Sequence, residues 1–319
     1  MATVGRPSWY KPDVGLASRM VLTMFFLGAV YVAFGVIIGV LMLQYNVGFG
    51  FLIAVLLILA VVQLFFADKI ALGAMGAKVV TEQEAPELYG LISRLAAQAN
   101  LPMPKVAIVN SSVPNAFATG RNAKHATIAV TTGIYNQLST PELEAVLAHE
   151  MTHIINRDML VMTIASFFAI LIGLMARQLM WMGIFGGFGG GFGRRRGNDN
   201  LGALIAIALL VSGVVYAISF LLIRALSRYR ELAADRGSAL ITGAPENLAS
   251  ALMKISGTIQ HARIPEADFR QAQAVNALFI VPALRGDSLG SIFATHPPIE
   301  ERIERLNEMQ RQMEHAHHS

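Results

Sequence analysis

Four long apolar runs, roughly Met20 to Leu43, Phe49 to Phe66, Met159 to Trp181 and Leu201 to Ile223, constrain this chain more than any other feature. Each approaches or exceeds the ~20 residues that an α-helix needs to cross a hydrocarbon core. The 319 residues are 54% hydrophobic and only 14% charged, too apolar for an ordinary water-soluble protein, so the runs belong in a bilayer. Arg177 interrupts the third run near its end, where a long side chain can snorkel to the interface. Arg6, Lys11 and Arg19 precede the first run as they would a secretion signal. That run is too long for a signal and lacks a small-residue cleavage site, so an uncleaved anchor is expected.

Basic residues set the orientation. The short segment Gln44 to Gly48 has no Lys or Arg, whereas Lys69 and Lys78 follow the second run. The amino terminus and everything after Phe66 are therefore expected on the cytoplasmic side. Between the third and fourth runs, Gly183 to Gly193 is glycine-rich and Arg194 to Arg196 follow it. Parity puts this loop outside, against the usual bias for arginine. Its glycines read as linker, because no strand precedes them and no Lys-Ser/Thr follows as in a phosphate-binding loop. The net charge of +4 and the pI near 9.5 are explained by this loop distribution, without a nucleic-acid partner. Cysteine is absent, which removes disulfides, thiolate nucleophiles and Cys-type zinc sites and leaves His, Asp and Glu as strong metal ligands.

The expected class is an α-helical membrane protein with four transmembrane helices, a mostly α (α+β) soluble domain and a small β-sheet. Four segments follow: an amino-terminal hairpin (1–66), a first soluble half (67–158), a second hairpin with the Gly-rich loop (159–223) and a second soluble half (224–319). Glu84 to Asn100 reads as an amphipathic helix with Leu88, Leu91, Ile92 and Leu95 on one face. Lys105 to Val109 and Ala126 to Thr131 read as strands. Asn115 to Gly120 fits an edge strand or a plain hairpin arm equally well.

His149-Glu150-Met151-Thr152-His153 supplies the chemistry. Residues i and i+4 of a helix share a face, so the two imidazoles can converge on one Zn²⁺ ion. Glu150 lies close without binding and is placed to take a proton from water, whose pKa Zn²⁺ lowers to about 7. Thr140, Pro141 and Glu142 read as N-cap, first-turn proline and early acid, so a helix begins there. A catalytic zinc with two histidines commonly takes a carboxylate as third protein ligand. Glu231 is the best candidate, on a helix continuing from the fourth run, with Asp235 one turn on. By spacing alone, without the histidines, Glu231 and Asp235 read more readily as a solvated acidic face. A metal shared by His149, His153 and a residue beyond Ile223 requires an even number of crossings between them. His153 is six positions before Met159 and Glu231 eight after Ile223, so along their helices both lie roughly 9–12 Å from the apolar runs.

These segments, with Thr295-His296-Pro297-Pro298, resemble the HtpX-type branch of the membrane zinc metalloproteases that also includes the Ste24-like CAAX-prenyl proteases. The resemblance covers nearly the whole chain in order, spacing and membrane placement. It implies a zincin-like protease domain holding one Zn²⁺ per chain through His149, His153 and Glu231, with Glu150 as general base. It also gives His296 the role of stabilising the oxyanion and pairs Arg302 with Asp235 beside the metal. Asn115, in an Asn-Ala-Phe segment, is implied to hold substrate backbone.

Two segments, the Gly-rich loop and the His315 to His318 tail, gain no role from it. The tail is expected to be a disordered terminus, and His125, in a turn before a strand, to be structural. Ile299, Ile303, Leu306 and Met313 give the preceding helix one apolar face.

The expected protein is thus a multi-pass zinc endopeptidase of a bacterial inner membrane, cleaving polypeptides, chiefly membrane proteins, on the cytoplasmic side. Quality control of misfolded membrane proteins, in response to stress, is what the resemblance implies. Prenyl-protein processing and a catalytically silent metal-binding scaffold are the alternatives. Glu150 argues against the scaffold, because a structural site has no use for a base that does not bind metal. An intramembrane site is disfavoured by Glu142, Glu144, Arg157 and Asp158 flanking the motif. Oligomeric state is not legible.

Overall fold

The computed structural model describes residues 14–44, 49–165, 172, 199–261, 264–266, 268, 280–281 and 296–318. The first two apolar runs form α1 (Val14–Gln44) and α2 (Phe49–Ala74). The soluble elements follow as β1 (Lys78–Val80), α3 (Pro86–Gln98), β2 (Lys105–Val109), β3 (Ala116–Thr119), β4 (Thr127–Thr131), α4 (Thr132–Gln137) and α5 (Thr140–Asn156). Then come α6 (Asp199–Thr242), α7 (Pro245–His261) and α8 (Ile299–His318). The chain is mostly helical, with a small mixed sheet. Most of the third apolar run, the Gly-rich segment and Arg194 to Arg196 lie outside the described residues.

The chain divides into two compact units. One draws on Leu64–Val161 and Ser227–Ser319, with residues up to Ser18, and the other on Arg19–Gln63 and Met162–Leu226. In the second, the Tyr31 hydroxyl donates to the Ala165 carbonyl at 3.0 Å and Gln63 Nε2 to the Thr163 carbonyl at 3.1 Å. Two helices among the described residues, Val14–Ile37 and Ile207–Thr242, are long and apolar enough to cross a membrane. Their surfaces point the same way: Phe25 is 68% exposed and Leu210 70%. Contiguous apolar surface of this kind is costly in water and free of that cost in lipid.

In the first unit, the sheet runs β1-β2-β4-β3, antiparallel at both ends and parallel in the middle. β3 is an edge strand and, paired antiparallel with the next strand β4, also a hairpin arm, so both readings of Asn115 to Gly120 hold. β1 and α4 were not legible, being too short to show a period. Proline in the first turn starts α3, and Asn100, with φ of 51°, ends its run. Leu88, Ile92 and Leu95 of α3, Val106 and Ile128 of the sheet, and Val146, Leu147 and Met151 of α5 form one buried core. Leu252 and Ile255 of α7 and Leu306 of α8 complete it.

Two expectations need correction. The N-cap of α5 is Ser139, not Thr140: Glu142 turns back to accept the Ser139 backbone N–H at 2.9 Å and its hydroxyl at 2.8 Å. The tail is not disordered, because α8 runs on through His318.

Two contacts lock α5 to α6. Ser238 Oγ donates to the Ala145 carbonyl at 2.7 Å. Gly237 lies so close to α5 that an added Cβ would stand 2.3 Å from Thr152 Cγ2. That close approach brings the His-Glu-x-x-His helix against the helix bearing Glu231.

Candidate active site

His149 and His153 leave α5 on the same face, their rings edge to face with centroids 4.8 Å apart. Donor atoms of His149, Glu150 and His153 all fall within 4.8 Å of one another. From α6, Glu231 points between the two imidazoles: its Oε2 is 3.5 Å from His149 Nε2 and its Oε1 is 3.6 Å from His153 Nε2. His296, at the entrance to α8, brings Nδ1 to 3.2 Å from Glu231 Oε2. All five side chains are buried.

The opposite ring atoms are held by two carboxylates. His149 Nδ1 is 3.0 Å from Asp235 Oδ1, and His153 Nδ1 bonds Asp158 Oδ2 at 2.7 Å. Each contact favours the Nδ1–H tautomer and leaves Nε2 free as a ligand toward Glu231. Asp235 is in turn gripped by both arms of Arg302, with Nε to Oδ2 at 2.9 Å and Nη2 to Oδ1 at 2.7 Å. Arg302 Nη1 donates to the Ile280 carbonyl at 2.7 Å, while the Ile280 N–H donates to Asn115 Oδ1 at 3.0 Å. Asn115 is fully buried, and this structure uses its side chain to bracket Ile280.

Glu150 reaches from this cluster to the sheet. Its Oε2 accepts the Ala118 backbone N–H of edge strand β3 at 2.8 Å, so the carboxylate sits where an extended chain could lie beside β3. Burial raises the Glu150 pKa above the ordinary carboxylate value, with His153 and His149 opposing it. Burial works to lower the His149 pKa, but Asp235 and Glu231 outweigh it and hold the ring at about 9, so a cation binding at Nε2 would displace a proton from this ring. Burial likewise acts against the charge on Arg302, and Asp235 more than restores it.

The donor set fits a divalent cation. His149 Nε2 and Glu231 Oε2, 3.5 Å apart, are buried without a hydrogen-bond partner. Two such orphaned atoms side by side are costly, and a metal ion is the group that satisfies lone pairs of imidazole and carboxylate together.

Sequence reasoning named eight site residues, and the structure brings six of them into this cluster: His149, Glu150, His153, Glu231, Asp235 and His296. Arg302 joins it through Asp235, and Asn115 through Ile280. It missed Asp158, which it used only as part of a charged flank and which is fully buried. Arg157 adopts the left-handed conformation, with φ of 58°, and ends α5, so Asp158 folds back onto His153. An acid just past the motif helix was the only signal for it.

Comparison with known proteins agrees. The sequence pattern of peptidase family M48 matches residues 82–310. The chain is 50% identical over 302 residues to a protein named Protease HtpX homolog from Moorella thermoacetica, covering 95% of this chain and 97% of that one. It is 50% identical over 304 residues to Protease HtpX homolog 2 of Methanosarcina mazei, with 95% and 98% covered. Protease HtpX homolog 1 of Streptomyces coelicolor is 45% identical over 313 residues, with 97% of each chain covered. The crystal structure of S. mikatae Ste24p shares the fold, with a TM-score of 0.52 at 20% identity, over 92% of this chain and 67% of that one.

Apolar helices joined to a buried histidine–carboxylate cluster on a His-Glu-x-x-His helix are the marks of a membrane metalloprotease. The chain belongs to peptidase family M48.

Proposed function

We propose that the protein is a zinc-dependent endopeptidase that hydrolyses peptide bonds of polypeptides, chiefly misfolded or damaged membrane proteins, close to the cytoplasmic face of a bacterial inner membrane. One observation carries the reading: Nε2 of both motif histidines converges on Glu231 while Glu150 is turned instead toward the edge strand. His149, His153 and Glu231 would hold one Zn²⁺, which when bound acidifies water and polarises a carbonyl.

The chain's own residues supply the rest. Substrate lies extended along β3, in reach of its outward backbone groups. Glu150 takes a proton from the attacking water and passes it to the departing amine nitrogen, a transfer suited to a carboxylate whose pKa burial has raised. His296 donates to the developing oxyanion. Asp158 and Asp235 hold the imidazole tautomers, and Arg302 keeps Asp235 charged and in place.

Four membrane crossings formed by the four apolar runs accompany this reading. They organise the chain as hairpin 1–66, soluble half 67–158, hairpin 159–223 and soluble half 224–319, with both halves in the cytoplasm. Partners are then polypeptide substrates and the bilayer.

The test is incubation of the purified protein with an unfolded membrane protein, after chelation, with and without added zinc. Fragments arising only with zinc support the reading. Equal fragmentation in both arms, or none, overturns it.

A further inference from the structure

The loop joining β3 to β4 is built rather than slack. Gly120 has φ of 134°, and a Cβ there would meet the His125 carbonyl oxygen at 2.4 Å, so only glycine lets the chain close on itself. Asn122 caps the short 3₁₀ turn Ala123–His125, accepting the His125 N–H at 3.2 Å and lying 2.8 Å from His125 Nδ1. Arg121 Nη2 approaches His125 Nε2 at 3.0 Å. Arg121, Lys124 and His125 are all exposed on this rim.

The rim rests on the end of α2. The Arg121 guanidinium stands 5.3 Å over the Phe65 ring, and on the next residue Lys69 Nζ stands 5.2 Å over Phe66. Both rings are 46% exposed. Phe65 and Phe66 close the apolar run that begins at Phe49, and Asp68 and Lys69 are the first charges after it. Aromatic rings and cations together at such a boundary mark the headgroup level of a bilayer. Asp68, the acid next to Lys69 in the chain, has its Oδ1 accepting the Lys69 backbone N–H at 2.8 Å.

We propose that the β3–β4 loop, with Lys69, is a docking surface for anionic phospholipid headgroups. The inference rests on α2 crossing the membrane. Charge sign selects the lipid, and the guanidinium stacked on Phe65 fixes the depth. Because the loop continues β3, whose Ala118 N–H holds Glu150, the contact braces the edge strand from the lipid side.

The absence of native cysteine makes the test direct. Full-length protein carrying Lys124→Cys is labelled with a bimane and reconstituted in phosphatidylcholine vesicles containing phosphatidylglycerol. Headgroup-spin-labelled forms of each lipid then serve as quenchers. Ile58→Cys, two helical turns before Phe65 and 62% exposed, reports on the crossing itself with a mid-chain spin label.

Stronger quenching by phosphatidylglycerol is expected. Its preference should fall about fivefold in Arg121→Gln, since a basic residue near an anionic surface is worth roughly that factor, and persist in Arg121→Lys. Equal quenching by the two lipids, or none, with Ile58→Cys quenched, overturns the docking surface and leaves the crossing intact. An unquenched Ile58→Cys overturns the crossing and this inference with it.

Discussion

At the scale of single residues, the site separates groups that would hold metal from a group that would move a proton, and substitutions tell them apart. Glu150→Gln should retain zinc in metal analysis yet lose about 10²–10⁴-fold of its cleavage rate, the usual cost of removing a general base. A variant empty of zinc would make Glu150 a ligand instead. Asp158→Asn should behave differently, lowering zinc affinity by about 10–100-fold in chelator competition, because His153 loses the charged partner that orients it. Unchanged affinity would reduce Asp158 to a packing residue. Asp235 and Arg302 form a bidentate buried pair, so either change to Ala should reduce activity while the double change costs much less than the product of the two. Effects that simply multiply would show that the pair does not act as one.

Among elements, α5 is held at three points that face different neighbours. Its carboxyl end is turned by Arg157, its middle meets Gly237 of α6, and its amino end is tied to α7 through Glu142. Glu142 accepts from Ser250 Oγ at 2.6 Å and pairs with Lys254 Nζ at 2.7 Å. Burial opposes its charge, but Lys254, Ser250 and Ser139 outweigh that and hold the carboxyl at about 2, against an ordinary value of 4.5. A folded-state pKa below the unfolded one stabilises fully above the unfolded value and is lost as pH falls through the folded one. The difference in Tm between the natural protein and Glu142→Gln should therefore be constant from neutrality down to roughly pH 5 and shrink between about 4 and 2. A difference that stays flat to pH 2 would show that the charge on Glu142 contributes nothing.

For the whole molecule, the proposed topology requires both soluble halves on one side of the membrane, since the histidines come from one and Glu231 from the other. Cysteines introduced at the exposed positions Ser93 and Glu246 should both be shielded from an impermeant thiol reagent in intact cells. A cysteine at Asn198, outside the described residues, should be labelled. Labelling at Glu246 with Ser93 protected would place the two halves on opposite sides and end the four-crossing proposal.

Local spacing carried much of this without the fold. Two histidines four apart on a helix with a proline start, a glutamate on a helix running out of an apolar run, and β-branched strands are short-range patterns, and a chain displays those directly. The two shortest elements, β1 and α4, were illegible because three to six residues hold no period and are formed by what they pack against. Which end of α5 is capped depended on Glu142 reaching back to Ser139 rather than on residue type alone. Only the tertiary structure decided that Asp158 belongs to His153, that Asn115 and Arg302 hold the N–H and the carbonyl of the same residue, Ile280, and that Glu150 looks toward β3. The first depends on the left-handed turn at Arg157, and the others on where separate elements meet in space, contacts that leave no periodic trace in the chain.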